Sequence, residues 1–361
     1  MSSTSRWDLL RLRAEREGTR LVGLYNRNYV VQLPEELSEE TGLPPRTLVK
    51  VRIPIKDADM CDVRIWAEDD LLDALAMASE GGSVADAPRV LARGDDYSVQ
   101  TYIEGRHLTQ VHPYASDLPE WRLVEIGDLF RQIAAVSVCD LPKVPVDWPR
   151  GDQCQLFYHR ILAAAEGQAD RFRADYGTLF GDLGLVPGLW DRRRSLTATL
   201  TARPFALLHT DVHRGNVIVR DGGGLALIDW ELSLVGDPVY ELACHLCRMR
   251  HDPERQWNSA VRMWAEAVTA VAPARVEGLE TDVEAYVALE RLRSAHNDTV
   301  RAAGAVRRDP SRIDQEAGVI AASLVAAEDL GVDARSPSAV ADALKQWLAT
   351  GPDPSLLTGA R

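Results

Sequence analysis

The N-terminal third of the chain alternates apolar and polar positions as strands do. Val, Ile, Leu and Tyr recur between turn-forming residues in three segments, 20–32, 47–54 and 97–104, and this pattern is typical of β-strands. Between the last two segments, a helical pattern runs from Val63 to Glu80 and is followed by Gly81 and Gly82, which favour a helix end. The pattern predicts a small lobe that is mostly sheet, with one helix.

A different period begins at Pro119, a residue suited to a first helical turn. From there a period of 3.6 predicts helix, because apolar residues recur at three- and four-residue steps, at Leu123, Ile126, Phe130, Ile133 and Val136. The second part of the chain is therefore predicted to be largely helical, over residues 156–176, 185–201, 237–250, 254–272, 280–303, 311–330 and 336–349.

One segment of this second part departs from the helical period. Within residues 205–229, two short apolar runs flank Asp221-Gly-Gly-Gly224, a turn signal that predicts a β-hairpin. The sequence shows no internal repeat, and two packed lobes are expected at this length. We predict an α+β chain with an N-terminal lobe over residues 1–104 and a larger, mostly helical lobe over residues 105–361.

Composition narrows the class of protein. The 361 residues are 46% apolar, enough to bury a core without disulfides or a partner. The formal charge of −13, from 41 basic and 54 acidic residues, argues against a chain that coats nucleic acid or an anionic membrane. No stretch approaches the roughly 18 apolar residues of a membrane span, and the N-terminus lacks the apolar stretch of a signal peptide. A cytoplasmic protein is expected.

The cysteines are predicted to be reduced thiols. There are five of them, an odd number, which does not describe a disulfide framework. Cys244, His245, Cys247 and His251 form a single CxxC with nearby histidines, but no second pair stands at metal-ligand spacing. Buried helix cysteines are favoured over a zinc site.

Chemistry-bearing residues concentrate in two segments, His209-Thr-Asp-Val-His-Arg-Gly-Asn216 and Ile228-Asp-Trp-Glu231. Asp211, Asn216 and Asp229 are separated by five and thirteen residues, and the hairpin would fold the last two back within reach of one ion. Phosphoryl transfer needs oxygen ligands for metal ions and a carboxylate that orients the acceptor hydroxyl. Asn216 and Asp229 would hold the metal and Asp211 would face the acceptor. The alternative is polar residues that cap turns in a loop.

The pattern HxDxxxxN followed by IDW resembles the aminoglycoside phosphotransferase family, a branch of the protein-kinase-like fold. The resemblance implies ATP or GTP as phosphoryl donor and Mg²⁺, with two ions expected. It implies that a small N-terminal lobe with an antiparallel sheet binds the nucleotide and that the larger, mostly helical C-terminal lobe carries the catalytic groups and the acceptor site. Gly236-Asp237-Pro238, before the next helix, also resembles the family, with Asp237 as a loop anchor or an ordinary N-cap.

The resemblance also implies a basic residue on the third strand that pairs with the nucleotide phosphates and a helix glutamate. Arg52 in Val49-Lys-Val-Arg52 is the candidate, and Lys50 on the same strand face is the alternative. Glu68 shares a helical stripe with apolar residues, so it is predicted to point inward and to need a cation. We predict an Arg52–Glu68 pair, with solvent-facing charges as the alternative.

Four further residues take roles from the resemblance. Asn26, in a turn with the single glycine Gly23, would present its amide to a phosphate or serve only as a turn former. Backbone groups of Thr101 and Ile103 would bind the purine. His213 stands where protein kinases have a lysine near the γ-phosphate, and it would donate a hydrogen bond there or only pack the loop.

The expected acceptor is a small molecule. Only seven residues separate Asp229 from Asp237, which leaves no room for a long activation loop, so a protein substrate is not expected. The family implies an antibiotic hydroxyl of aminoglycoside, cyclic peptide or nucleoside type. Acidic residues are dense over residues 277–298, and Glu290 and Asp298 among them would suit an amine-bearing antibiotic or belong only to a solvated charged face. The alternatives are a metabolic kinase for choline, homoserine or a sugar, and a binding module without activity. Five aromatic residues on predicted helices are also candidates for acceptor binding, although such residues are more often core than ligand platform. They are Tyr158, Trp190, Trp257, Trp264 and Tyr286.

Overall fold

The structure is a computed structural model. It describes residues 5–23, 25–55, 63–79, 84, 87–196, 199–251 and 255–350. Within those residues the strands are β1 (Thr19–Leu21), β2 (Asn26–Gln32), β3 (Leu48–Pro54), β4 (Val90–Arg93), β5 (Ser98–Thr101), β6 (Arg106–His107), β7 (Ala206–Leu208), β8 (Val217–Val219), β9 (Leu225–Leu227) and β10 (Leu234–Gly236).

The helices of the described residues are longer and lie mostly in the second part of the chain. They are α1 (Arg6–Glu17), α2 (Glu35–Thr41), α3 (Glu68–Ser79), α4 (Leu108–Val111), α5 (Glu120–Ala135), α6 (Cys154–Asp182), α7 (Gly188–Leu196), α8 (Pro238–Met249), α9 (Trp257–Thr269), α10 (Leu279–Arg308), α11 (Ile313–Ala326) and α12 (Pro337–Thr350).

The N-terminal sheet is five-stranded in the order β1-β2-β3-β5-β4, with every pair antiparallel. One face of it packs against α1, where Leu10 and Ala14 meet Val49, Val51 and Val99. Successive strand side chains alternate between faces, so the polar residues of β3 lie on the other face. The predicted antiparallel sheet is confirmed.

The strand prediction is wrong in three details. Residues 20–32 form two paired strands, β1 and β2, because the chain turns back between them. The strand predicted over 97–104 ends at Thr101. Strand β4 lies on the edge of the sheet beside β5 and was not predicted, since its four residues include Arg93 and have no buried position.

The helix predicted from Val63 starts late. Helix α3 begins at Glu68, and its first turn carries Glu68, Asp69 and Asp70. Carboxylates interact favourably with the positive end of the helix dipole, which explains why the helix begins there. The predicted end at Glu80, Gly81 and Gly82 lies outside the described residues.

The remaining helices match the predicted segments with shifted ends. Pro119 is the N-cap of α5 rather than part of its first turn. Helix α7 covers only the middle of the predicted segment 185–201, because Pro187 precedes its first residue. Helix α9 begins at Trp257, and residue 254 lies outside the described part.

The chain divides into two compact units. The first comprises Met1–Asp147, Ala206–Val235 and Arg248–Pro273, and the second comprises Trp148–Phe205, Gly236–Cys247 and Ala274–Arg361. The first unit contains the predicted hairpin, in which β8 and β9 pair antiparallel from Val217 opposite Leu227. This pairing confirms the prediction from the Asp221–Gly224 turn.

Helices dominate the second unit, and its core is aromatic. Phe157 and Tyr158 of α6 contact Tyr286 of α10, and all three are fully buried. Among the residues that the structure describes, no helix combines the length and apolar character needed to cross a membrane. Cys139, Cys154, Cys244 and Cys247 are not in disulfide bonds, and none belongs to a cluster of metal-ligating side chains among the described residues.

Candidate active site

Strand β3 presents two cations on one face of the sheet. Val49, Val51 and Ile53 point into the core on the α1 side, so Lys50 and Arg52 lie on the opposite face. The register places Arg52 opposite Asn28 of β2 and Ser98 of β5. The basic face that the sequence predicts is therefore formed within the first unit.

Arg52 is a buried guanidinium held between carboxylates. Its Nη1 forms an ion pair with Glu68, the first residue of α3, and its Nη2 lies 3.0 Å from Glu231 Oε2. Burial lowers the pKa of Arg52, but Glu68 and Glu231 outweigh this effect and raise it. The predicted pairing of Arg52 with Glu68 is present, and Arg52 has a fixed position and a permanent charge.

Glu231 is an acidic residue to which the sequence analysis gives no role, although it stands inside the second motif. Its Oε2 accepts hydrogen bonds from Asn26 Nδ2 and Arg52 Nη2, both at 3.0 Å, and lies 3.5 Å from Arg64 Nη2. Burial and the neighbouring Asp229 carboxylate raise the pKa of Glu231 to about 7. Glu231 therefore joins β2, β3 and the end of the hairpin. The sequence signal that could have identified Glu231 is that a buried arginine such as Arg52 needs a second carboxylate.

Lys50 differs from Arg52 in having no direct partner. The structure shows no hydrogen bond or ion pair between its ammonium group and any described residue. Burial and the neighbouring Arg52 lower the pKa of Lys50, while Glu68 and Asp229 act in the opposite direction. Lys50 stays the alternative cation of this face.

Asp211 lies in the loop that follows β7, with donors on both carboxylate oxygens. Arg248 Nη1 donates to Oδ1 at 2.6 Å, and Asn216 Nδ2 donates to Oδ2 at 2.8 Å. His213 Nε2 is 3.5 Å from the same Oδ2. Burial would raise the pKa of Asp211, but Arg248 and then His213 hold it well below its usual range. The carboxylate is ionised and oriented.

Two histidines fix the loop around Asp211. The Gly215 amide donates to His213 Nδ1 at 2.9 Å, so the ring is held with its Nε2 facing Asp211. His209 Nδ1 accepts from the Asp211 amide at 3.3 Å, while its Nε2 lies 3.2 Å from the carbonyl oxygen of Ile228. Burial lowers the pKa of His209 to about 4, so this ring is a neutral link between the loop and the hairpin.

The hairpin brings the two predicted metal ligands to neighbouring positions. The Ile228 amide donates to the Asn216 carbonyl at 3.0 Å, so Asp229 follows directly after a residue bonded to Asn216. Asp229 has a left-handed φ of 68°, an unusual conformation for a residue with a side chain. Burial and Glu68 raise the pKa of Asp229.

The donor set fits a hard cation. Because Asn216 Nδ2 is engaged by Asp211, the amide oxygen remains available as a ligand. The half-buried Asp229 carboxylate forms no hydrogen bond or ion pair with the described residues. Carboxylate and amide oxygens are ligands that Mg²⁺ accepts. Carboxylate oxygens of Glu68, Asp229 and Glu231 also lie within 4.8 Å of one another, and Arg52 offsets part of their charge.

The predicted purine-binding segment follows β5. The Thr101 amide is already bound to the Arg89 carbonyl at 2.9 Å, so this amide is not available to a ligand. Ile103 makes no backbone hydrogen bond to the described residues. In the turn before β2, a Cβ at Gly23 would overlap the Asn26 carbonyl oxygen, which explains the glycine there; Leu24 lies outside the described residues.

Asp237 acts both as an anchor and as a cap within the second unit. Its Oδ1 accepts from the Val239 amide at 3.0 Å, and its Oδ2 accepts from the Tyr286 hydroxyl at 2.9 Å. Arg203 Nη1 is 3.4 Å from Oδ1. Asp237 therefore serves both as a loop anchor and as an N-cap, the two alternatives that the sequence left open.

The residues considered for acceptor binding are internal to the fold. Glu290 is 1% exposed and accepts from the Tyr240 hydroxyl at 2.8 Å. Asp298 is buried and bonds to Arg301 and Ser323. Neither carboxylate is presented to an amine-bearing ligand, so that expectation is wrong. Trp257 is half-buried, and the other aromatic candidates are core residues, namely Tyr158, Trp190, Trp264 and Tyr286.

Comparison with known proteins gives one family and one fold. The model of a family described as "Phosphotransferase enzyme family" matches residues 17–279. No curated protein matches the chain. A protein from Ralstonia eutropha JMP134, provisionally described as an aminoglycoside phosphotransferase, has 14% identity and a TM-score of 0.54, with 94% of this chain and 96% of that chain covered.

Two further solved structures share the fold. A choline/ethanolamine kinase family protein from Mesorhizobium loti has 16% identity and a TM-score of 0.50, with 94% of this chain and 99% of that chain covered. A choline kinase from Cryptosporidium parvum Iowa II has 12% identity and a TM-score of 0.50, with 92% and 88% covered. At such identities the likeness concerns the fold alone.

Proposed function

The chain belongs to the phosphotransferase enzyme family, the aminoglycoside phosphotransferase family of the protein-kinase-like fold, and from this we propose that it transfers the γ-phosphoryl group of ATP or GTP to a hydroxyl of a small molecule. The observation that carries the proposal is the geometry of Asp211. Its ionised carboxylate is held at both oxygens by Arg248 and Asn216. A carboxylate so held can orient an acceptor hydroxyl and take its proton.

We assign the donor side to residues of the sheet and the hairpin. Asn216 and Asp229 would hold Mg²⁺, which supplies charge neutralisation at the phosphates when bound. Arg52, kept in place by Glu68 and Glu231, would contact the phosphates of the nucleotide.

Four further residues complete the proposed donor side. His213 would add a hydrogen bond near the transferred group, since its ring is fixed by Gly215. Asn26 would act through its amide, which in this structure donates to Glu231. The Thr101 carbonyl and the Ile103 backbone would bind the purine.

A small acceptor is supported by the short path after Asp229. The chain passes through one turn of 3-10 helix (Trp230–Leu232) and β10 before α8 begins at Pro238. No activation loop occupies this fully described stretch, and such a loop is what docks a peptide in protein kinases. We therefore propose a small-molecule acceptor rather than a protein.

We propose a hydroxylated antibiotic as the acceptor, with resistance by inactivation as the outcome. The family supports it, as does the arginine-rich composition, in which four of 41 basic residues are lysines, a bias found in high-GC genomes of the kind that antibiotic producers have. Arg248 beside Asp211 favours a neutral acceptor such as a nucleoside antibiotic over a polycationic aminoglycoside. A metabolic kinase for choline, homoserine or a sugar is the second candidate, because a choline/ethanolamine kinase family protein and a choline kinase share the fold.

The experiment is a nucleotide-consumption assay with ATP and GTP against aminoglycosides, cyclic peptides, nucleoside antibiotics, choline, homoserine and sugars. Asp211→Asn is expected to lower kcat by about 10²–10⁴-fold with near-normal nucleotide binding. Asp229→Ala is expected to weaken Mg–nucleotide binding in calorimetry, since it removes a charged ligand.

Asp221→Ala, at the exposed hairpin tip, is the matched control and should behave as wild type. Turnover of Asp211→Asn close to wild type would contradict the assignment of the base. Phosphorylation of choline or a sugar in place of every antibiotic would select the second candidate.

A further inference from the structure

Arg248 is a charged residue beside Asp211 that no motif contains. It occupies the last turn of α8, followed by the fully buried Met249 and then by Arg250, whose φ of 55° ends the helix. Arg250 stacks on Tyr114, with 5.2 Å from its guanidinium carbon to the ring centre. The buried Met249 side chain fixes the backbone on which Arg248 is mounted.

The two donors on Asp211 act at different oxygens. A carboxylate that is bonded at one oxygen only can still swing about its Cβ–Cγ bond, because this torsion is broad. Asn216 holds Oδ2 and Arg248 holds Oδ1 at 2.6 Å, so the plane of the group is set from both sides. Each oxygen has two acceptor positions, and one remains for the hydroxyl of the acceptor.

Partial burial and charge also strengthen the hydrogen bond between Arg248 and Asp211. The Arg248 and Asp211 side chains are 20% and 17% exposed, and the short charge-assisted bond is of the strong kind. The titratable groups that interact with Asp211 besides Arg248 are His209, His213, Tyr114 and Asp229, all in the first unit. None of these donates to Oδ1 in the structure, so the described residues offer no second donor that would replace Arg248 there.

We propose that Arg248 is a positioning residue of the phosphoryl-transfer reaction, which orients the Asp211 carboxylate towards the acceptor hydroxyl without itself contacting the nucleotide. The proposal rests on the proposed function, because only a transfer to a hydroxyl gives Asp211 an acceptor to orient. It assigns a role to a residue 37 positions away along the chain.

The test compares Arg248→Ala, Arg248→Met and Arg248→Lys. Arg248→Ala is expected to lower kcat about 10- to 100-fold while the nucleotide dissociation constant changes little. Millimolar guanidinium chloride, against sodium chloride at the same ionic strength, is expected to restore part of the loss in Arg248→Ala. Arg248→Met fills the same space with an apolar chain and should not be rescued, and Arg248→Lys should retain part of the activity.

A double variant separates positioning from a structural role. If Arg248 acts through Asp211, adding Arg248→Ala to Asp211→Asn costs no further activity. Arg250→Asn removes a neighbouring guanidinium, keeps a residue that tolerates positive φ, and should leave turnover unchanged. Until an acceptor is found, hydrolysis of the nucleotide by water is the readout, because water then takes the place of the hydroxyl.

The outcomes distinguish this inference from the proposed function. Full activity of Arg248→Ala, or a loss that guanidinium does not rescue and that adds fully to the loss of Asp211→Asn, would overturn the positioning role. Full activity of Asp211→Asn would instead overturn the base assignment on which the proposed function depends.

Discussion

Arg52 is the side chain on which the charges of the proposed nucleotide-binding face converge. It is 7% exposed and has Glu68 and Glu231 as direct partners. A buried ion pair of this kind contributes little net stability, but removing one partner leaves the other charge uncompensated. The arrangement therefore favours a single orientation of the guanidinium.

This balance predicts a non-additive response to mutation. Arg52→Ala and Glu68→Ala should each raise the nucleotide KM, lower kcat or both, and the double variant should lose less than the two single changes combined. The physical reason is that the second change removes the charge stranded by the first. Steady-state kinetics of the three variants with saturating acceptor measures the coupling.

Lys50→Ala is the control for this cycle, because Lys50 lies on the same strand face without a direct partner among the described residues. A damaging Lys50→Ala beside a harmless Arg52→Ala would transfer the phosphate-binding role to Lys50. The kinase-like assignment of the chain would be unaffected.

At this scale the sequence predicted the motif residues at fixed spacings, but it missed Glu231 inside the second motif and Arg248 outside both motifs. Asp211, Asn216 and Asp229 stand at fixed spacings on a local hairpin, so their proximity follows from the chain itself. Arg248 reaches Asp211 only through the course of a helix end, and nothing in its local sequence marks it. The expectation that Glu290 and Asp298 bind an amine-bearing acceptor was wrong, because a dense run of acidic residues does not show which carboxylates are buried.

Among the elements, the hairpin was predictable and the short N-terminal helices were not. The β8–β9 hairpin is specified by apolar runs and a glycine turn within one short segment. Helix α1 is mostly polar and buries only Leu10 and Ala14. The helical repeat of apolar residues in its sequence is therefore weak. Its capping box, Ser5 with Asp8, was a usable start signal.

Two glycines offer a contrast between elements. In α5, a Cβ at Gly127 would meet the flexible Met263 side chain at 3.1 Å, whereas at Gly236 in β10 it would overlap the ring of the fully buried Phe157. Gly127→Ala should stabilise the protein by about 0.5–1 kcal/mol through helix propensity, because Met263 can move. Gly236→Ala should destabilise it by about 1–3 kcal/mol through overpacking.

Urea denaturation measures both changes. Gly167→Ala in α6 is the matched control, since a Cβ there meets no heavy atom within 4 Å, and it should show the helix gain alone. A destabilising Gly127→Ala beside a stabilising Gly167→Ala would show that Met263 cannot adjust.

For the whole molecule, buried histidines make stability depend on pH. Burial lowers the pKa of His209, His251 and His296 to about 4 in each case, below the ordinary value of about 6.5. Between these values the unfolded chain binds protons that the folded chain does not. The free energy of unfolding is therefore expected to fall as the pH drops from about 6.5 towards 4, by up to about 1.4 kcal/mol per pH unit for each histidine.

His296 provides the measurement. It lies between Trp190 and Phe180 in the second unit, so His296→Phe keeps an aromatic ring and removes one titrating group. Denaturation at pH 7 and pH 5 should show a smaller loss for this variant than for wild type. Equal losses would mean that the ring is hydrated or already charged in the folded protein.

The division into two units, each built from three separate stretches of chain, has a consequence for biosynthesis. The ribosome releases β3 and α3 early, but Glu231, which holds Arg52, follows 179 residues later, after a whole stretch of the other unit has emerged. Until then the nascent sheet carries an arginine without its second carboxylate, and long-range closure of this kind is slow. N-terminal fragments that end before the hairpin would expose this unfinished face to chaperones and proteases, so the chain completes the proposed nucleotide site only late in translation.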